Sequence, residues 1–362
     1  MDPDNAAIPA ATSGPVPQGP QVNVAVVGAG YWGPNLIRTF SALAGCSLSW
    51  VCDLDPARLA AVQARFPGVG SIGAARTTTS LEDLLNDPSL HAVAIATPAA
   101  THYSLARRCL LAGKHLLVEK PLALDLPQAE ELVRLAAEHA LTLMVDHIFL
   151  YNPAFARLCQ LAHAGGLGAV RYVNATRTSL GPRLCEDTNI IWDAQIHDVY
   201  MALALLGELP GHVLATGRAF LRPGIEDVAF STLLFPSGAI VHCHNTSYAP
   251  TKERRWVVVG AERMAIYDDL REQARLVILK RGFLPFAGVD PAGNRGLRLF
   301  DEGEERPDIA WVQPLEVECR HFLDCVTTGS RPLSDGLSAL YVLRVLLALD
   351  RSLKSGGREA LC

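Results

Sequence analysis

The stretch Val22-Asn23-Val24-Ala25-Val26-Val27-Gly28-Ala29-Gly30-Tyr31-Trp32-Gly33 decides how the first half of the chain folds. Its first six residues are an apolar, β-branched run of the kind that forms a buried strand. The next six match Gly-x-Gly-x-x-Gly, and a helix follows with Leu36, Ile37 and Phe40 on one face. In this strand–loop–helix setting each glycine has a physical task. Gly28 allows the tight turn, Gly30 lets a pyrophosphate approach the backbone at the helix N-terminus, and Gly33 lets helix and strand pack closely. Tyr31 and Trp32 stand in the same loop and are read with it as cofactor contacts. A second strand, Ser47 to Cys52, ends at Asp53, close to where a ribose-binding acid is expected. A carboxylate there accepts hydrogen bonds from ribose hydroxyls and repels a 2′-phosphate, which favours NAD over NADP. The alternative for Asp53 is a turn residue at a strand end, and Asp55 can share the role.

Strand and helix continue to alternate. A helix is read over Pro56 to Phe66 and a helix start at Ser80. A buried strand, Ala92 to Ala96, ends at Thr97-Pro98, with a helix from Thr101. The apolar run Leu116-Leu117-Val118 leads into Glu119-Lys120-Pro121, followed by a helix over Pro127 to His139 and a strand over Leu141 to Val145. Such alternation predicts a doubly wound parallel sheet. Ligands of these sheets bind beyond the carboxyl ends of the strands. Thr97, Pro98, Glu119 and Lys120 are therefore expected to border the nicotinamide half of a dinucleotide. Taken alone, Lys120 is a solvated loop lysine; its place on the sheet edge makes it a candidate. His102, near the start of its helix, is either at the cofactor edge or on the helix surface.

After about Asp146 the texture changes. A helix over Tyr151 to Ala164 and a strand over Val170 to Arg177 precede a polar loop, 178–189, that contains Arg183. A helix then runs from Ile190 to Leu206 and places Asp193 and His197, four apart, on one face. Strands are read at 213–221, 228–235, 238–247, 254–260 and 263–269, an antiparallel arrangement. Residues 281–308 read as a long loop, and helices over Pro314 to Thr328 and Gly336 to Ser355 close the chain. The fold class is thus α/β plus α+β. An N-terminal Rossmann domain (21–146) precedes a domain on a mostly antiparallel open sheet (147–330), and a C-terminal helix (331–362) packs back on the body.

Composition narrows the function classes. The 362 residues are 49% hydrophobic, and 32 Lys+Arg against 37 Asp+Glu give a net charge of -5. No basic run marks a nucleic-acid partner. The nine Cys show no paired spacing, and most lie in apolar runs (Cys46, Cys52, Cys109, Cys159), as small buried hydrophobes do. That suits a reducing cytoplasm. Residues 1–20, rich in Ala, Pro and Gly, read as a disordered tail and not a signal peptide. No run is long enough to span a membrane. His242 and His244 lack a third ligand at diagnostic spacing, so no metal is expected.

Together, Gly28 to Gly33, Thr97-Pro98 with His102, Glu119-Lys120-Pro121 and Asp193-Ala194-Gln195-Ile196-His197 resemble the Gfo/Idh/MocA family of NAD(P)-dependent sugar and inositol oxidoreductases. The resemblance covers about residues 22 to 355. It implies a cis Lys120–Pro121 bond and a homodimer or homotetramer formed through the C-terminal sheet. Gly30 to Asn35, Phe149-Leu150-Tyr151-Asn152-Pro153 and Glu318-Cys319-Arg320-His321-Phe322 look like the branch that oxidises nucleotide-linked sugars, of the UDP-N-acetylglucosaminuronate 3-dehydrogenase type. Trp192, Asp193, His197 and Asp198 match that branch; Ala194 and Ile196 replace its Leu and Pro. The resemblance implies His197 as general acid/base, Lys120 as donor to the reacting hydroxyl, and Asp193 as holder of another sugar hydroxyl. Arg177 and Arg183 are candidates for a substrate phosphate or carboxylate, or ordinary surface arginines. Tyr151 and Asn152 are pocket candidates, with packing as the alternative for Tyr151. Three functions stay open: a dehydrogenase of nucleotide sugars, the same chemistry on inositol or a free aldose, and a non-catalytic dinucleotide sensor.

Overall fold

Val22–Val27 forms strand β1, in the middle of a six-stranded sheet. The computed structural model describes residues 21–66, 75–181, 188–289, 293 and 295–361. The expected tail, 1–20, lies outside them. The other strands of this sheet are β2 (Cys46–Cys52), β3 (Arg76–Thr78), β4 (Ala92–Ile95), β5 (His115–Val118) and β6 (Leu143–Val145). Their order is β3-β2-β1-β4-β5-β6, and every pair is parallel. Helices α1 (Gly33–Ala42), α2 (Pro56–Arg65), α3 (Leu81–Leu85), α4 (Ala99–Leu111) and α5 (Leu126–Glu138) alternate with the strands. Covered strands need no polar face, which is why β4 reads Ala-Val-Ala-Ile and is buried throughout. Asp55 and Asp125 cap α2 and α5 by accepting the Ala57 and Gln128 N–H groups at 2.8 and 2.9 Å. The strand order reverses between β1 and β4, the point at whose carboxyl edge sheets of this kind bind ligands.

The chain divides into two units. The parallel sheet belongs to the first, which comprises 21–152 and 312–343. Helix α8 (Pro314–Thr328) joins it there: Phe322 meets Phe40 of α1 edge-on at 6.4 Å. The Val145 N–H donates to the Ser334 carbonyl at 2.8 Å. The described cysteines are free and buried, and burial pushes the Cys46 thiol up to about 12.

The second unit comprises 153–311 and 344–361. It holds helices α6 (Pro153–His163) and α7 (Ile196–Leu206), and α9 (Gly336–Ser355) ends in it. Its sheet has nine strands: β7 (Val170–Leu180), β8 (His212–Arg218), β9 (Val228–Leu234), β10 (Ile240–Thr246), β11 (Tyr248–Gly260), β12 (Met264–Asp268), β13 (Leu276–Val289), β14 (Arg295–Glu305) and β15 (Glu359–Ala360). The order is β14-β13-β12-β11-β7-β10-β9-β8-β15, antiparallel except for the parallel pair β7–β10. Val173, Ala175, Val241 and Cys243 point to the covered face, where Phe155 of α6 packs on Trp256 and Tyr267 at 5.8 and 5.7 Å. Tyr172, Leu214, Phe230 and Ile240 lie exposed on the opposite face, and His244 stacks on Phe230 at 4.4 Å.

Two expectations are corrected. Residues 281–308 are not a loop: β13 and β14 pair as a long hairpin, with Phe283 opposite Leu299 and Leu284 opposite Arg298. Gly282, Pro285, Gly288 and Gly296 hide the alternation, and the strands find their partners in each other. The helix expected from Ile190 opens as a π turn, Ile191–Gln195, with the Ile196 N–H bonded to the Ile191 carbonyl. No helix among the described residues is long and apolar enough to cross a membrane.

Candidate active site

The glycine loop joins β1 to α1 at the strand-order reversal. Gly28 has φ +100°, and a Cβ there would collide with the Ala96 carbonyl. A Cβ on Gly33 would collide with the Gly28 carbonyl, so helix and strand need that glycine. Gly30 is open: the nearest atom to a Cβ would be Arg58 Nη1, at 3.6 Å. No side chain caps α1, and its first turn holds no acid. Its N-terminal N–H groups therefore suit a pyrophosphate. Asp53 is 7% exposed and already employed. Its Oδ2 accepts the Ala29 N–H at 2.7 Å and its Oδ1 the Asp55 N–H at 2.9 Å. Arg58 stands 3.8 Å from the same carboxylate. Asp53 thus braces the glycine loop, with the Arg58 cation beside it.

Lys120 follows β5 on the same carboxyl edge, and the Lys120–Pro121 bond is cis. His102, 1% exposed, is buttress and not helix surface. Its Nδ1 lies 2.7 Å from the Pro121 carbonyl and its Nε2 2.8 Å from the Thr97 carbonyl. One imidazole therefore ties together the loops after β4 and β5. Burial holds its pKa below the ordinary value. Behind Lys120 lies a carboxyl cluster, Glu119, Asp146 and Glu318. Burial first, then the Asp146 carboxylate, push both Glu119 and Glu318 well above the usual range. The Trp32 indole N–H donates to Asp146 Oδ2 at 2.8 Å, which ties the glycine loop to this cluster. His147, beside it, is pushed down to about 3 by burial and by the Lys120 charge.

In the second unit, the π turn and α7 are pinned to the covered face of the sheet. The Gln195 amide donates to Ser231 Oγ. Asp198, fully buried, takes Arg177 at 3.1 Å, Asn245 at 2.6 Å and Trp256 at 3.1 Å. Donors from β7, β10 and β11 thus converge on one carboxylate, which sets the rotation of α7. Asp193 and His197 are half-buried. His197 Nδ1 lies 2.9 Å from Tyr200 Oη.

These sites sit in a chain with clear relatives. The model of the Gfo/Idh/MocA oxidoreductase family, NAD-binding Rossmann fold, matches residues 22–147, and the family's C-terminal domain matches 155–266. The UDP-N-acetylglucosamine 3-dehydrogenase of Acidithiobacillus ferrooxidans is 30% identical over 322 residues, covering 89% of this chain and 94% of that protein. The chain belongs to the Gfo/Idh/MocA oxidoreductase family. A solved structure of that Acidithiobacillus enzyme superposes with TM-score 0.78 at 29% identity, covering 92% of this chain and 98% of the other. GenD2 from gentamicin A biosynthesis, solved with NAD, superposes with TM-score 0.78 at 27% identity over 96% of this chain and all of the other. The scyllo-inositol 2-dehydrogenase (NAD(+)) of Bacillus subtilis is 27% identical over 350 residues, 93% of this chain and 95% of that protein.

Within this Gfo/Idh/MocA chain several expected contacts stand elsewhere. Arg177 is not an ordinary surface arginine: it is 9% exposed, and its guanidinium pairs with Asp198. Tyr151, 2% exposed, bonds Ser334 Oγ at 2.9 Å and stacks near His321. Asn152 is fully buried. Arg183 lies outside the described residues. Tyr31 is 71% exposed, whereas Thr97 and Pro98 border the β4 edge with their loop carbonyl on His102. Asp146, Glu318, Arg58 and Tyr200 went unread as site residues. Glu318 opens the Glu-Cys-Arg-His-Phe run, but only the fold shows that it turns toward Asp146.

Proposed function

We propose that this oxidoreductase interconverts a secondary hydroxyl and a ketone on a nucleotide-linked sugar, with NAD as its cofactor. The observation that carries the reading is the placement of Lys120 on the sheet edge that holds the glycine loop. It is supported by a likeness to a UDP-N-acetylglucosamine 3-dehydrogenase that runs nearly the length of the chain. Bound at Gly28–Gly33, NAD supplies the hydride acceptor. Lys120 donates to the reacting hydroxyl and stabilises the oxyanion that develops as its proton is taken, before the carbon gives up hydride. His197 accepts the hydroxyl proton, a task suited to a group that titrates near neutral pH. Asp193 holds a second hydroxyl and so orients the ring. Asp53, beyond bracing the loop, meets the ribose and favours NAD over NADP.

A second reading, oxidation of an inositol or a free aldose, has its own support. Arg177 pairs with buried Asp198, so a substrate phosphate or carboxylate would compete with that pair for it. Ala194 and Ile196 also stand where the nucleotide-sugar branch carries Leu and Pro, beside Asp193. The exposed apolar face carrying Tyr172, Leu214, Phe230 and Ile240 supports self-association through the second sheet. The test is NAD reduction by a panel of UDP-sugars, inositols and aldoses. Turnover confined to UDP-sugars supports the proposal, turnover confined to inositols supports the second reading, and NAD binding without turnover points to a sensor.

A further inference from the structure

Tyr200 lies three residues after His197 on α7 and is 2% exposed. Its Oη is 2.9 Å from His197 Nδ1, and the rings meet edge to face, 5.6 Å between centroids at 87°. We propose that Tyr200 is a positioning residue that fixes the ring and tautomer of His197, so that Nε2 is the nitrogen that exchanges the proton. The inference rests on the reading of His197 as acid/base and adds the atom and its partner.

Neutral imidazole carries one N–H. For Nε2 to accept a proton, Nδ1 must hold that hydrogen, and an Nδ1–H needs an acceptor. Tyr200 Oη is placed to be it. The imidazolium formed in the reaction keeps the same Nδ1–H, so one hydroxyl serves before and after proton transfer. The backbone on both sides of His197 is already held, by Gln195 on Ser231 and by Asp198 on Arg177, Asn245 and Trp256. Ring rotation is the freedom left to fix, and the edge contact with Tyr200 restricts it. Among the described residues, the charged and titratable groups near the pair include Asp193 on the preceding turn and Asp198 with its ion-pair partner Arg177, on which Tyr200 and Tyr267 also act. Asp198 and Arg177 offset one another, and the Tyr200 hydroxyl stands within hydrogen-bond distance of Nδ1.

The test is Tyr200→Phe, which keeps the ring, the burial and the edge contact and removes only Oη. Expected is a fall in kcat of about 10- to 100-fold with sugar KM within about twofold. The acid limb of kcat against pH should move to lower pH, because the imidazolium loses an acceptor. Nitrogen-15 NMR of His197 in the full-length protein with NAD, assigned with His197→Asn, reads the tautomer without turnover. Nδ1–H in the unsubstituted protein, shifting toward Nε2–H in Tyr200→Phe, supports the proposal. An unchanged kcat and pH profile in folded Tyr200→Phe, or Nε2–H in the unsubstituted protein, overturns it. Should the variant not fold, the tautomer of the unsubstituted protein still decides. Intact turnover in His197→Ala would remove the acid/base reading alone, and the NMR result would separate the two failures.

Discussion

Arg177→Met isolates the buried pair that orients α7. The Arg177 side chain is 10% exposed and that of Asp198 is fully buried, with Nη2 to Oδ1 at 3.1 Å and Nε to Oδ2 at 3.3 Å. At this separation, and an effective dielectric of about 20, the attraction is about 5 kcal/mol before desolvation. Removing one partner of such a pair leaves a buried charge and costs about 3–5 kcal/mol. Asn245 and Trp256 still donate to Asp198, so the lower end, about 3 kcal/mol, is expected. At about 2–4 °C per kcal/mol for a domain of this size, Tm should fall by about 6–12 °C in a calorimetric melt. The double variant Arg177→Met/Asp198→Asn no longer strands a charge and should recover about 1–2 kcal/mol of that loss. A Tm within about 2 °C of the unsubstituted protein, with sugar KM raised tenfold or more, would refute this reasoning and return Arg177 to the substrate.

Glu318→Gln mimics a carboxyl that keeps its proton. Because the folded-state pKa of Glu318 is raised, its favourable contribution is full below the unfolded value and is lost as pH rises through the folded one. The Tm of Glu318→Gln relative to the unsubstituted protein should therefore climb between about pH 5 and pH 8; a pH-independent difference would reject the protonated cluster. Asp53→Ala removes both the ribose acceptor and the partner of the Ala29 N–H, so NAD affinity measured by nucleotide fluorescence should drop about tenfold or more. The NAD-to-NADP affinity ratio should fall with it, and an unchanged ratio would separate Asp53 from cofactor choice.

The buried strands β1, β4, β5 and β6 of the first sheet are legible in sequence because they read as apolar runs, whereas the edge strand β3, Arg-Thr-Thr, has no such run and goes unread. Helix starts are legible for a similar local reason at Pro56 and Pro127, which lie in the first turns of α2 and α5. Long-range geometry was not. Glu318 reaches Asp146 only after α8 packs on α1, which no local pattern encodes. Arg177 had a usable signal: Val173, Ala175 and Arg177 share one face of β7, and Val173 and Ala175 mark it as the inward face. Its neighbouring polar loop drew the reading outward instead. The hairpin β13–β14 escaped because its strands carry glycines and charges in place of alternation, and their order comes from pairing with each other. The π turn before α7 is invisible to helical periodicity, since five residues of wider helix leave the pattern nearly unchanged.

The most direct measurement is the rate of NAD reduction by UDP-N-acetylglucosamine in the unsubstituted protein, Lys120→Ala and His197→Ala, followed by NADH fluorescence. The account predicts turnover in the unsubstituted protein and a loss of about 100-fold or more in each variant, with NAD still bound by His197→Ala. Turnover that survives intact in both variants would contradict it.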